Sequence, residues 1–300
     1  MMKKTFRTKK SMSDRTFNSI LMGFSVFWII IVLYPLIFVL SSSFSSGAAV
    51  SAGRVYLFPV DFSLTGYKLV FKNRLIWSGY LNSIFYSIAG TFLHLIGTFC
   101  GAYPLSRRDY QGKGFIQVFL TISMMFSGNL VSTYILVASL GLVDTRAYQI
   151  ISGMVTIGDM VVMRTFIQSN IPYELLESAK MDGISDSQYL HKIVLPLSKA
   201  IIAVNCLYGF VGRWNSFYHP MIYLRTREKY PLQLIANDIL NKAKIDTSQL
   251  MDASLLSQMG ASVDAMRYAL IVVTVLPVIL IYPFVQKHFE KGVMVGSIKG

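Results

Sequence analysis

Cysteine and charged residues are scarce in this chain. The two cysteines, Cys100 and Cys206, lie inside apolar stretches with no CxxC or Cys/His spacing around them. The sequence therefore indicates neither a disulfide framework nor a metal site. Charged residues make up 14% of the sequence and hydrophobic residues 53%. Several uncharged runs exceed the length that a soluble core helix needs, which predicts an integral membrane protein.

Catalytic and nucleotide-binding motifs are also missing. No GxxxxGK[ST] phosphate loop occurs, and Gly112-Lys113-Gly114 lacks the spacing and the strand-to-helix context of one. No HExxH, GxSxG or paired acid and base lies on an apolar run. We predict that the chain is not an enzyme and does not hydrolyse ATP itself. The net charge of +13 is spread over short loops rather than along an aromatic-rich stripe, which disfavours nucleic-acid binding.

The apolar runs predict an all-α membrane protein with six spans. The first run, 19–40, is long enough to cross about 30 Å of hydrocarbon as a helix. A cleaved signal peptide is the alternative for this run, but its length favours a retained anchor. The other predicted spans are 75–106, 114–143, 147–168, 200–224 and 268–285. The fourth is interrupted by Asp159 and Arg164, and the fifth by Arg213.

The distribution of lysine and arginine sets the predicted orientation. Placing the N-terminus in the cytoplasm puts most of these residues in the inner segments, despite the longer outer loops. We therefore expect both termini to be cytoplasmic. The predicted organisation is a basic N-terminus at 1–18, a six-span region at 19–286 and a C-terminal tail at 287–300, with an inner loop at 171–197 and an outer segment at 219–264.

The inner loop has the sequence pattern of two short helices around a glycine. Pro172 suits a first helical turn, and Gly183 suits a left-handed C-terminal cap. Ser185 and Gln188 have capping-box spacing and predict the start of a second helix, which Pro196 ends. From the residues alone, the pair is either an interfacial helix pair lying on lipid or a rigid knob that docks into a partner.

A resemblance favours docking. Glu177-Ser178-Ala179, then Gly183, then Ile193-x-Leu195-Pro196 resembles the EAA loop of ABC-importer permeases, with Ser178 in place of the usual alanine. In that family the loop docks into a cleft of the ATP-binding subunit. The resemblance gives Glu177 an ionic role, Ala179 close packing and Gly183 the corner. The implied coupling set is Glu177, Ser178, Ala179, Asp182, Gly183, Ile193, Leu195 and Pro196.

Four further segments resemble the carbohydrate branch of that family, the maltose-permease second subunits and lipoprotein-associated oligosaccharide permeases. They are 102–107, similar to AYxLSR; 126–134, similar to FxGGLIPTY with Asn129 and Ser132 departing from it; 214–220, similar to WNxFxxP; and 286–300, similar to QKYFxKG…GAxKG. The resemblance implies a homologous second permease, two cytosolic ATPase subunits that bind ATP and Mg, and an extracellular solute-binding lipoprotein. No cofactor is expected in this chain. A Gram-positive plasma membrane is the implied location.

Sugar stacking and hydrogen bonding suggest residues for the substrate path. Tyr134, Asp159, Trp214, Asn215 and Tyr218 are candidates for its lining. The alternatives stay open: aromatics also pack or form belts, and Asp159 also suits a pair with a basic residue or a position near a helix break. Arg213 also suits snorkelling to the outer end of its span.

The predicted function is the permease subunit of an ABC importer for oligosaccharides, of the complex or modified glycan type. An ABC permease for a non-sugar solute is the alternative within transport. An ion-coupled secondary transporter has less support, since the sequence shows no convincing internal repeat.

Overall fold

The structure, a computed structural model, describes the backbone of residues 12–126, 128–248 and 253–296. It also describes the side chains of these residues, except those of 12–15, 242–259, 261 and 284–296. Within these ranges the fold is entirely helical, which confirms the all-α prediction. The helices are α1 Met12–Ser43, α2 Gly47–Ser51, α3 Thr65–Lys72, α4 Arg74–Ser106, α5 Lys113–Met125, α6 Leu130–Ser139, α7 Arg146–Ile151, α8 Ile157–Asn170, α9 Tyr173–Met181, α10 Asp186–Tyr189, α11 Leu195–Leu197, α12 Lys199–Trp214, α13 Tyr218–Tyr223, α14 Leu232–Ser248 and α15 Ala253–Gly296. A π-helical turn, Leu190–Val194, links α10 to α11, and a 3₁₀ turn, Arg227–Lys229, precedes α14.

The chain forms two compact units. The first comprises Met1–Val70 and Ala243–Val272. Inside it, α3 approaches α15 closely at Gly66, where an added Cβ would lie 2.3 Å from the Ala265 carbonyl oxygen. The apolar side chains of α1 from Phe17 to Ile37 are exposed, as expected of a helix whose surroundings are lipid or another membrane subunit.

The second unit, Phe71–Lys242 and Val273–Gly300, contains both candidate sites. Its central helix, α4, is polar on its buried face and apolar on its exposed face. The buried polar residues recur at helical spacing: Asn82, Ser83, Ser87, Thr91, His94 and Thr98. The exposed face carries large apolar residues such as Leu81, Phe85, Ile88 and Phe92. This arrangement is the reverse of a soluble helix and is typical of a membrane helix whose polar face meets protein or a water-filled cavity.

Three described helical stretches are long and apolar enough to cross a membrane: Thr16–Ser43, Arg74–Ser106 and Ser262–Pro283. Counting each of two bent helix pairs as one span gives up to 5. Within the predicted span at 147–168 the helix is interrupted, because residues 152–156 separate α7 from α8. The count of six and the cytoplasmic termini stay predictions.

Candidate functional site

The helix pair, α9 and α10 with the corner at Gly183, has the local structure that the sequence predicts. Gly183 adopts a left-handed conformation, with φ of 71°, which glycine adopts without the steric cost of a Cβ. The Ser185 side chain accepts from the backbone N–H of Gln188, and the Gln188 side chain accepts from the backbone N–H of Ser185. This capping box satisfies backbone donors that would otherwise lack partners at the start of α10.

The pair is packed onto the ends of longer helices. Its buried side chains are Leu176, Ala179 and Tyr189. They belong to an apolar cluster with Ala102 and Leu105 of α4, Met160, Met163 and Ile167 of α8, and Ile171, Val194 and Ile201. This packing fixes the orientation of the pair relative to α4 and α8.

The opposite face of the pair is exposed. Glu177, Ser178 and Asp182 lie on it, and the Met181 side chain is 88% exposed. Of the two central residues of the EAA resemblance, Ala179 therefore faces the cluster and Glu177 faces outward. The outer face of the helix pair therefore combines carboxylates with the exposed Met181 side chain.

An ionic network that the sequence reasoning missed ties the pair to the end of α4. Arg107 donates to both carboxylate oxygens of Asp109, at 2.8 and 2.6 Å, and to Asp186 of α10 at 2.7 Å. Lys180, in the last turn of α9, donates to Asp109 at 3.3 Å. The Arg107 hydrogen bonds hold the pKa of the Asp109 carboxyl well below its usual range. The bidentate geometry adds orientation as well as energy.

The second helix of the loop continues beyond the predicted end at Pro196. The backbone switches to π-helical bonding over Leu190–Val194, and α11 then carries the chain to Leu197. Proline lacks an N–H donor, so regular α-helical bonding could not continue through this position. The change of direction comes at Ser198, where the axes on either side differ by 74°. Ile193 and Leu195 are half-buried.

A second site lies within the membrane-spanning part of the unit, between α4, α8 and α12. It is a cavity of about 350 Å³, referred to below as the central cavity. Its lining includes Tyr86, His94, Gln149, Ser152, Gly153, Thr156, Asp159, Tyr208, Arg213, Ser216 and His219. The non-helical residues 152–156 form part of its wall, as expected for irregular backbone at membrane depth.

Arg213 holds the end of α7 in place. Its Nη2 donates to the carbonyls of Ser152 and Gly153, at 3.2 and 3.1 Å, and its Nη1 donates to the Gly209 carbonyl at 3.3 Å. The side chain packs directly over Gly90, where an added Cβ would lie 2.2 Å from Nε. Arg213 lies in the last turn of α12, and its side chain is bound inside the unit instead of snorkelling outward.

Asp159 lies beside His94. Its Oδ2 lies 3.3 Å from His94 Nε2, and the side chains are 29% and 2% exposed. His94 Nδ1 lies 3.2 Å from the Gly153 carbonyl, which also accepts from Arg213. Asp159 is therefore next to a histidine and close to a helix break, in line with the alternatives considered above. In the described residues no group of three or more His, Cys, Asp or Glu side chains could hold a metal ion.

Of the five residues predicted for the substrate path, Asp159 lines the central cavity and the others lie elsewhere in the second unit. Trp214 is 0% exposed, and its indole N–H donates to the Thr274 carbonyl at 2.9 Å, so it is a packing residue. Tyr134 stacks on Tyr223 and accepts from Arg225. Asn215 and Tyr218 are exposed and are absent from the lining of the central cavity.

An Asp144-centred corner joins the loop before α7 to the segment after α13. The Asp144 carboxylate accepts from the backbone N–H groups of Arg225 and Thr226, each at 3.0 Å, from the Thr226 hydroxyl and from Lys229. Burial opposes ionisation of this carboxyl, but the hydrogen bonds outweigh burial and lower its pKa. These hydrogen bonds fix the position of residues 225–229, which follow α13.

The residues that sequence reasoning missed at the two sites are His94, Gly90 and Arg107. The sequence feature that could have identified His94 and Gly90 is the repetition of small and polar residues along 75–106. This repetition places one polar face on an otherwise apolar span. Arg107 was identified only as part of a motif and as an inner positive charge. Its two acidic partners are Asp109, two residues later, and Asp186, 79 residues away.

Comparison with known proteins identifies the family. Residues 94–295 match the family described as binding-protein-dependent transport system inner membrane component. Protein LplC of Bacillus subtilis is 35% identical over 272 residues, which cover 90% of each chain. The polygalacturonan/rhamnogalacturonan transport system permease protein YtcP of the same organism is 35% identical over 293 residues, 96% of this chain and 100% of the relative.

A solved structure agrees in fold. A chain of a bacterial ABC transporter involved in the import of the acidic polysaccharide alginate has a TM-score of 0.83 and 33% identity, covering 94% of this chain and 99% of that chain. These relatives are transport subunits and not enzymes. The chain therefore belongs to the family of binding-protein-dependent transport system inner membrane components, the permease subunits of ABC importers.

Proposed function

We propose that the chain is the permease subunit of an ATP-driven importer of oligosaccharides derived from complex or modified glycans. It acts with a homologous second permease, two copies of a cytosolic ATP-binding subunit and an extracellular solute-binding lipoprotein. ATP and Mg belong to the ATPase subunits. The names of the relatives support a saccharide substrate: besides YtcP, they include the galactooligosaccharides transport system permease protein GanQ of Bacillus subtilis, at 28% identity.

The helix pair is the proposed coupling element. The observation that carries this role is its two-faced construction. Leu176 and Ala179 are buried against the ends of α4 and α8, while Glu177 and Met181 point outward. A partner that grips the outer face therefore moves α4 and α8 with the pair, because a close-packed cluster transmits displacement. Closure of the ATPase dimer reaches the membrane through this contact.

Charge reversal at Glu177 tests the coupling role. Glu177→Lys places a cation where the proposed contact requires an anion, so ATP-driven uptake should fall at least tenfold, and less ATPase subunit should co-purify. Glu228→Lys, at an exposed glutamate in the segment predicted to lie outside, is the matched control and should leave both unchanged. Normal uptake by the Glu177→Lys protein at normal expression would overturn the coupling role.

The partner set is tested by purifying the tagged chain from native membranes and identifying the retained proteins by mass spectrometry. Recovery of an ATPase, a second permease and a solute-binding lipoprotein is the expected result. If the chain is recovered alone and transports saccharide in liposomes without ATP, an ion-coupled transporter replaces the ABC importer.

A further inference from the structure

We infer that an anionic phospholipid binds beside the helix pair, with one acyl chain in an apolar cleft of the protein and its phosphate at His191 and Lys192. This inference goes beyond the proposed function, because it concerns a ligand other than the transported solute. All the residues involved belong to the second unit.

The apolar cleft has a volume of about 280 Å³ and lies between two walls. One wall is α4, and the other is formed by the π-helical turn, α11 and α12. The lining is Leu95, Ile96, Phe99, Cys100, Leu190, His191, Leu195 and Ile202. The cleft is open to the surroundings of the protein, since Ile96 is 42% exposed and Cys100 is also exposed.

The size and the chemistry of the cleft favour a hydrocarbon chain as its occupant. Ordered water needs several polar partners, and this lining offers the His191 ring and a weakly polar thiol. An α-helix with its side chains is about 10–12 Å across, so even one turn of a helix exceeds the volume of the cleft. A single acyl chain has both the narrow shape and the apolar surface that the lining requires.

The depth of the cleft matches the acyl region of one membrane leaflet. At about 1.5 Å per residue, Cys100 and Leu95 lie about 9 and 16 Å from the end of α4 at Ser106. Half of a bilayer's hydrocarbon core is about 15 Å thick. The distribution of lysine and arginine predicts that this leaflet is the cytoplasmic one, whose surface is negatively charged.

The headgroup end of the cleft is basic. His191 and Lys192 are both exposed, and neither forms an ion pair or a hydrogen bond within the part of the chain that the structure describes. The elements that line the cleft contain no aspartate or glutamate. The Lys192 ammonium and the N–H of the His191 ring are therefore available as donors to a phosphate.

These basic residues provide the selectivity for an anionic lipid. The apolar lining alone does not select among lipids, because bulk acyl chains are as apolar as leucine. A lysine near the membrane surface, in contrast, favours a negatively charged headgroup over a zwitterionic one. The bound lipid therefore joins α4 to the residues that directly follow the helix pair.

The test uses the importer complex purified from native membranes. Native mass spectrometry compares the affinity of the complex for dioleoyl phosphatidylglycerol and dioleoyl phosphatidylcholine, which have the same acyl chains. The variants are the double variant His191→Gln/Lys192→Gln and Cys100→Trp, which fills the cleft. Ile88→Trp is the control, since Ile88 is 60% exposed on the same helix and lies outside the lining. In addition, a phosphatidylglycerol with a diazirine in its acyl chain is cross-linked to the wild type.

We expect the wild type to bind phosphatidylglycerol at least about five times more tightly than phosphatidylcholine. The double variant should bring this ratio close to one. Cys100→Trp should weaken binding of phosphatidylglycerol at least tenfold, and Ile88→Trp should leave it unchanged. The cross-links should lie in 95–100 and 190–202.

Equal affinities of the wild type for the two lipids, or cross-links confined to other segments, would overturn the inference. A benzophenone attached to Cys100 that cross-links to a second permease would also overturn it, because a side chain of that subunit would then occupy the cleft. None of these results affects the proposed transport of saccharides. The measurements on the wild type decide the inference even if the variants do not fold.

Discussion

At the scale of single residues, the close approach of α4 and α12 depends on a missing side chain. An added Cβ at Gly90 would lie 2.2 Å from Arg213 Nε and 2.6 Å from its Cδ. Gly90→Ala should therefore displace Arg213 from the Ser152 and Gly153 carbonyls and destabilise the protein by about 1–3 kcal/mol. The measurement is the melting temperature of the detergent-purified chain. Gly212→Ala is the control, because a Cβ there meets open space and alanine favours helix. Equal melting temperatures for the two variants would contradict the close packing described here.

A second prediction concerns Asp144 and the pH dependence of the stability of the protein. Its lowered pKa means that the folded protein favours the ionised carboxylate more strongly than the unfolded chain does. The resulting stabilisation is complete above about pH 5, and it is lost as the pH falls through about 3.9, the unfolded value, toward the lower folded pKa. Asp144→Asn should cost about 1–3 kcal/mol at neutral pH, since the amide loses the contact with Lys229 and part of the acceptor set.

The measurement for Asp144 is the difference in melting temperature between wild type and Asp144→Asn from pH 7 to pH 3. The difference should narrow only below about pH 5. Asp61→Asn is the matched control. Asp61 and Asp144 both have positive φ, at 51° and 59°, and both pair with a basic residue, but the ion pair of Asp61 with Arg54 is exposed on both sides. Such surface pairs contribute about 0–1 kcal/mol. A difference that is independent of pH would show that the Asp144 carboxylate does not act through its charge.

At the scale of elements, the orientation of the helix pair depends on Arg107. This side chain joins the end of α4 to α10 directly and to α9 through Asp109 and Lys180. Arg107→Gln removes the bidentate contact and leaves Asp109 and Asp186 without their main partner, so α9 and α10 should open more often. We expect amide hydrogen exchange in 173–189 to rise by about tenfold or more, since loss of a charged hydrogen bond costs about 1.5–3 kcal/mol.

The control for Arg107 is Lys199→Gln, which removes an exposed positive charge at the start of α12. It should leave exchange in 173–189 unchanged. If Arg107→Gln also leaves that exchange unchanged, the apolar cluster alone holds the pair, and the ionic network is dispensable.

How much of each element the sequence predicts depends on the distance along the chain between the interacting residues. The glycine corner and the capping box involve residues at most three positions apart, Ser185 and Gln188, and both were predicted correctly. The π-helical turn was missed because Pro196 was interpreted as the end of the second helix of the loop and not as an interruption within it. The contacts of His94 with Gly153 and Asp159, and of Arg213 with Ser152, join segments about 60 residues apart. Tertiary packing decides these contacts, and local patterns carry little information about it.

At the scale of the whole second unit, the same helices serve both sites. The α4 helix carries His94 at the central cavity and Leu105 beneath the helix pair. The α8 helix does the same with Asp159 and Ile167. Because each helix is a stiff element, a displacement of the helix pair changes the geometry of the cavity wall. This connection gives the proposed ATPase coupling a physical route to the saccharide.

That route requires the helix pair and the Asp144 corner to lie on opposite sides of the membrane, separated by α12. Charge distribution predicts the pair inside and the corner outside. The test places single cysteines at exposed Ser187 and Glu228, in a background with Cys100 and Cys206 replaced by alanine. A membrane-impermeant maleimide added to whole cells should label Glu228→Cys and not Ser187→Cys, and permeabilised cells should show labelling of both. The reversed pattern would invert the orientation, and labelling of both in intact cells would mean that α12 does not separate the two faces. Either result would place the helix pair where a cytosolic ATPase cannot reach it.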